Sequence, residues 1–198
     1  MESMKKKDIV HHFLLNLLTV LDFMVREDNI GENTKGEILN LLKVAGLIIS
    51  NEKVFIDEKP EFFIQEIHLN DILEIVVSIY QKMLDEHGVT IVIPHEDYAL
   101  NIDRHYFGEA MKYIVERLMT SVSFINFEYD KNGKILSILH DGGEIIPDLS
   151  KSLSSFLAVK GISKDDIIYR LALALLEMQG MKVEFSSNKI EIKMGRLV

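Results

Sequence analysis

The chain has 198 residues, with 31 acidic against 22 basic side chains, a net charge of −9, 47% hydrophobic content and no cysteine. At about 150 residues per domain this length fits one compact domain or two small ones, and the composition is that of a folded globular chain. An acidic chain with no basic cluster beyond Lys5-Lys6-Lys7 argues against nucleic-acid and anionic-membrane partners. The lack of cysteine excludes disulfides, thiolate catalysis and thiolate-held metals. The longest apolar run, Leu171 to Leu176, falls far short of the roughly 20 residues that span a bilayer. The start MESMKKKDIV lacks the apolar stretch and cleavage site of a signal peptide, so the expected compartment is the cytoplasm.

Residues 8–26, DIVHHFLLNLLTVLDFMVR, contain no Gly or Pro and are apolar at most positions, which predicts a helix covered on most sides. Its polar exceptions Asp8, His12, Asn16, Thr19, Asp22 and Arg26 recur every three or four residues, so at about 100° per residue they share one narrow stripe. After the polar turn EDNIGEN, Thr34 and Glu37 form a capping box opening a second helix, ILNLLKVAGLII. So short a loop makes the helices antiparallel neighbours. Their wide apolar faces exceed what one hairpin can bury on itself, and a second hairpin from another copy would complete a dimeric four-helix bundle.

Residues 51–68 are charged, contain Pro60 and break the helical period, so they read as a linker. Asn70 and Asp71 are expected to cap a helix running to about Asp85, ended by His87-Gly88, with VTIVI as a strand after it. A strand-like segment follows. Asp103 should start a helix with the apolar face Phe107, Ala110, Met111, Ile114 and Leu118. SFINFEY and KILSILH flank Asp130-Lys131-Asn132-Gly133, where Asn-Gly signals a hairpin turn. The loop DGGEIIPD leads to a short helix near Leu149 to Leu157. Ser163 and Asp166 cap a final helix through Gln179, and MKVEFSS with KIEIKM forms a second hairpin. The expected fold class is α+β: a helical hairpin in residues 1–52, then an α/β sandwich in residues 53–198 with helices on one sheet face.

The seven histidines form no HExxH pair, and no GxxxxGK[ST], GxGxxG or GxSxG motif is present, so no metal and no cofactor site is expected. What remains is His12. An imidazole on a polar stripe of a rigid helix is accessible, and its neutral nitrogen is a nucleophile near neutral pH, as phosphoryl acceptance requires. Asn16, one turn later, could hydrogen-bond a phosphoryl oxygen or position water, and Thr19 lies a further turn on. The plainer reading of a lone histidine on a helix is a solvated side chain.

HHFLLNLLTVLDF resembles the phosphoacceptor box of two-component histidine kinases, H-[DE]-x-x-[NT]-x-L-T, with His12, Asn16, Leu18 and Thr19 on matching positions. The second half resembles their ATP-binding domain. Asp103 to Met119 is similar to the asparagine-box helix, HDGGEIIPD to the D-x-G-x-G-I-P turn, and LALALLEMQGMKVEF to the helix and strand after the glycine-rich lid. The departures are concentrated on the nucleotide. The paired asparagines fall on Tyr113 and Arg117, with Glu116 beside them; Asp141 and Gly143 are kept, but the second glycine of the turn is Ile145. Asp165 and Asp166 stand where lid amides should cradle phosphates, and the acidic residue after the phosphoacceptor is Phe13.

A kinase shape without its ATP machinery resembles the dimeric histidine phosphotransferases of phosphorelays. The resemblance implies a homodimer in which His12, assisted by Asn16, relays a phosphoryl group between aspartates of response-regulator receiver domains. Thr19, Asp22, Asn40 and Lys43 would contact the receivers, and no nucleotide would be needed. The alternative is a pseudo-histidine-kinase that binds and regulates a kinase or receiver without transferring phosphate.

Overall fold

The structure, a computed structural model, describes residues 45–46, 62–142 and 164–195, and only the backbone of 164–167. The chain divides into two compact units, Met1–Pro60 with Asp148–Ile168 and Glu61–Pro147 with Tyr169–Val198. The second unit holds nearly all of the described residues. The expected helical hairpin of residues 8–49 and the short helix near 149–157 lie outside them.

Within the segment read as a linker, Ile64–His68 forms a strand, β1. It pairs antiparallel with β3, Ala99–Asp103, from Ile64 opposite Asp103 to His68 opposite Ala99. Only Ile67 of β1 is buried, so a strand with one inward residue has no apolar alternation to reveal it in the sequence.

Helix α1, Leu69–His87, buries Leu69, Ile72, Leu73, Val76 and Leu84 and ends at Gly88, whose φ of 67° is left-handed, as the His87-Gly88 pair suggested. Its start corrects the expected Asn70-Asp71 cap. His68 is the N-cap residue and makes no side-chain cap. The free amides of the first turn are taken from a distance: Leu69 N–H donates to the Tyr98 carbonyl at 2.9 Å and Asn70 N–H to the Asp97 carboxylate at 3.1 Å. Asn70 turns its own side-chain amide to the Pro94 carbonyl at 3.0 Å.

Helix α2, Arg104–Leu118, begins as expected at Asp103, whose carboxylate accepts the Tyr106 N–H at 3.0 Å. The other carboxylate oxygen accepts the Phe63 N–H at 2.7 Å, and the backbone N–H of Asp103 donates to the side-chain oxygen of buried Gln179 at 3.1 Å. One residue thus ties β1, the start of α2 and the end of α3, Lys164–Met178. Phe107, Ala110, Met111, Ile114 and Leu118 are all buried, together with Tyr113 and Val115.

The main sheet has five strands in the order β2-β4-β5-β7-β6: Thr90–Val92 parallel to Phe124–Asp130, then Ile135–His140, Lys189–Lys193 and Lys182–Ser186 in antiparallel succession. Ile125, Phe127, Leu136, Ile138, Ile190 and Ile192 alternate along three central strands and are buried, forming the apolar face that the helices cover. Both expected hairpins are present. In the first, the pair Asp130 and Ile135 closes a four-residue loop in which Lys134, not Gly133, takes positive φ, at 53°. Asp130 accepts the Asn132 N–H at 2.9 Å, and a Cβ on Gly133 would meet the Asp130 carboxylate at 2.5 Å, so the glycine here serves close approach.

Candidate functional site

Helix α2 presents Tyr113, Glu116 and Arg117, spaced so that the first and last lie one turn apart. Tyr113 is buried. Glu116 accepts the hydroxyl hydrogen of Tyr80, on α1, at 3.2 Å. Burial, reinforced by Glu116, pushes the Tyr80 hydroxyl well above its ordinary range, so it remains a donor at any ordinary pH. Arg117 donates to the Ser121 hydroxyl at 2.9 Å, and its guanidinium lies 5.7 Å from the ring centre of Tyr169 on α3. Tyr169 in turn meets Phe185 of β6 edge to face at 6.0 Å.

At the end of β5, Asp141 is turned back onto β4. Its carboxylate accepts the N–H groups of Ser123 at 2.9 Å and Phe124 at 3.0 Å as well as the Ser123 hydroxyl. The Ser123 hydroxyl and these amides hold the Asp141 carboxyl below the usual carboxylate range. The residue kept from the D-x-G-x-G pattern is therefore engaged in fastening two strands. Its neighbour His140 follows the inward alternation of Leu136 and Ile138, is 5% exposed, and has no hydrogen-bond partner for Nδ1. Burial lowers its pKa and keeps it neutral. Sequence reasoning passed over His140, weighing it only as a metal ligand; the signal that could have found it is the period of two in Leu136, Ile138, His140.

His12, Asn16, Thr19, Asp22, Asn40 and Lys43 lie outside the described residues, as do Phe13, Gly143 and Ile145; for Asp165 and Asp166 only the backbone, in α3, is described. Tyr113, Glu116, Arg117 and Asp141 are therefore the residues singled out from the sequence whose surroundings are visible. Among the described residues, no group of three or more His, Asp or Glu could hold a metal ion, and no helix is long and apolar enough to cross a membrane.

No protein-family model matches the chain, and no curated protein matches its sequence. Its fold is similar to that of solved histidine kinases. The histidine kinase AdeS of Acinetobacter baumannii superposes with a TM-score of 0.65 at 16% identity, covering 93% of this chain and 97% of that one. The cytoplasmic segment of the histidine kinase QseC gives 0.54 at 8% identity, over 76% and 93% of the two chains. The catalytic domain of the histidine kinase ThkA gives 0.51 at 13%, over 67% and 97%. At such identities the likeness establishes a histidine-kinase-like α+β fold with a mixed sheet.

Proposed function

We propose that the chain is a histidine phosphotransferase of a two-component phosphorelay, ATP-independent and homodimeric, with residues 1–52 as the phosphoacceptor and dimerisation domain and 53–198 as a degenerate ATPase-like domain. The observation that carries this reading is the polar face of α2. Where the resemblance requires two carboxamides for magnesium and phosphates, a buried tyrosine and an arginine stand, and the arginine is already bonded to Ser121 and laid near Tyr169. Asp141 is likewise spent on Ser123 and Phe124. These residues do not fit a magnesium nucleotide: a guanidinium repels the metal, and tyrosine offers no carboxamide oxygen. A histidine-kinase-like fold that cannot use ATP can still pass on a phosphoryl group that arrives activated.

A receiver aspartyl phosphate supplies that group. The neutral nitrogen of His12 attacks phosphorus, the N–P bond forms as the acyl phosphate O–P bond breaks, and the aspartate leaves as a carboxylate; a second receiver aspartate reverses the exchange. Asn16 would hold a phosphoryl oxygen, while Thr19, Asp22, Asn40 and Lys43 would bind the receiver surface. Positioning is nearly all that this protein need contribute.

The test is incubation of the full chain, His12→Ala and His11→Ala with phosphorylated receivers, and separately with labelled Mg-ATP. Acid-labile, base-stable label should pass from a receiver to the wild type and to His11→Ala, and not to His12→Ala. Direct labelling from Mg-ATP would return the chain to the kinases. Labelling by no receiver would leave the non-transferring pseudokinase as the better reading.

A further inference from the structure

Between α1 and α2 runs a groove of about 450 Å³. The relay chemistry does not use it. Its α1 wall is apolar, lined by Ile72, Ile75 and Val76, with Phe63 at one end. Ile75, Ile79 and Met83 follow at intervals of four and so continue one ridge along α1, and they are 44%, 53% and 41% exposed, with Phe63 at 76%. These four make up most of the seven large apolar side chains that the described residues leave exposed, a concentration typical of an interface.

The α2 wall is polar, and its carboxylates are already engaged. Lys112 pairs with Glu109 at 2.5 Å, and buried Asp103 accepts from the amides of Phe63 and Tyr106. Arg104, exposed on the same wall, has no ion pair among the described residues. Gly108 contributes to the lining without a side chain, and a Cβ there would lie 3.9 Å from the nearest atom, a methyl of Ile72.

We propose that this groove receives an amphipathic helix of a partner protein, its apolar face on the Phe63-Ile75-Ile79-Met83 ridge and an acidic flank on Arg104. From Ile75 to Met83 the ridge runs about 12 Å at the helical rise, about two turns, which matches three or four anchors spaced i, i+4, i+7 on a partner helix. Charge narrows the choice of partner. On a chain of net charge −9, an exposed guanidinium with no ion pair among the described residues, beside an apolar ridge, is a local exception, and its fork suits a carboxylate. The inference holds whether or not the chain transfers phosphate.

Two labelled helical peptides, each about 14 residues long, test it by fluorescence anisotropy against the full chain at low salt. They share leucines at the anchor spacing and differ only in one flank, glutamate or lysine. The acidic peptide should bind about tenfold more tightly than the basic one, the equivalent of about 1.4 kcal/mol. Ile79→Glu should weaken it by a further order of magnitude, and Arg104→Glu should reverse the preference. Both positions are exposed, and unchanged circular dichroism verifies that the variants are folded. Failure of the acidic peptide to bind, equal affinities, or a preference untouched by Arg104→Glu would overturn the proposal. So would loss of self-association in Ile79→Glu, which would give the groove to a second copy.

Discussion

His140 and Asp141 are adjacent in sequence and opposite in circumstance: His140 ends β5 on its inward face, whereas Asp141, just past the strand, turns back onto the start of β4. Asp141 is exposed and held by Ser123 and Phe124, so the ionised form gains partners on folding; its contribution is present above the ordinary carboxylate range and disappears as the pH falls through its lowered value. His140 is buried and neutral, with Nδ1 unpaired. Because its folded pKa is lowered, the unfolded chain takes up the proton first as pH falls below about 6.5, and stability drops there. Above that pH neither state is protonated and the residue adds no slope. His140→Leu should therefore flatten the stability profile between pH 5 and 7, measured by urea unfolding at several pH values. At pH 7.5 it should change stability by less than about 1 kcal/mol, since removal of the unpaired buried nitrogen offsets loss of the hydrogen bond to the Gly142 backbone. A variant that keeps the wild-type slope would show that another group sets it.

At the scale of elements, α1 illustrates a helix whose start is supplied by tertiary structure. Two suitable cap residues sit at its N-terminus in the sequence, yet the amides are satisfied by Tyr98 and Asp97 from the segment before β3. Asp97 also accepts the N–H of Tyr98 at 2.9 Å and pairs with His68 at 2.6 Å. These partners, led by the Asn70 amide, lower its pKa. Asp97→Ala should cost about 1 kcal/mol, the usual loss on removing a cap, whereas His68→Ala, which removes only an exposed side-chain contact to Asp97, should cost less than about 0.5 kcal/mol. Chemical denaturation of both variants at pH 7 decides this; equal losses would mean that the contact with His68, not the cap, carries the effect. β1 has the same origin. It exists because β3 pairs with it across an intervening helix, and nothing in its own composition requires a strand.

For the whole molecule, the proposed dimer rests on the sequence of residues 8–49, where Leu14, Leu17, Leu21, Leu39, Leu42 and Leu47 offer more apolar surface than one expected hairpin can cover. Burying each leucine contributes about 1.5 to 3 kcal/mol. The full chain should sediment as a dimer at micromolar concentration, and Leu17→Asp should shift it toward monomer with loss of helical signal. A stable folded wild-type monomer would refute the bundle. The second unit needs no such partner to close its own core: its central strands and the inward faces of α1, α2 and α3 bury Phe107, Phe127, Leu136 and Leu176 within one chain.

Periodicity by itself determined the elements whose stability is local or whose burial is one-sided. α2 with its Asp103 cap, the end of α1 at Gly88 and the two hairpins follow from signals within a few residues of each element. The kinase-like order of motifs was legible for the same reason, since order is a property of the chain. What only the tertiary structure decided depends on partners far apart in sequence: β1 on β3, the start of α1 on Asp97, and the diversion of Asp141 to β4. Sequence pattern records which face of an element is apolar. It does not record which distant amide a carboxylate will satisfy, because that is fixed by the register and packing of elements that meet only when the chain has folded.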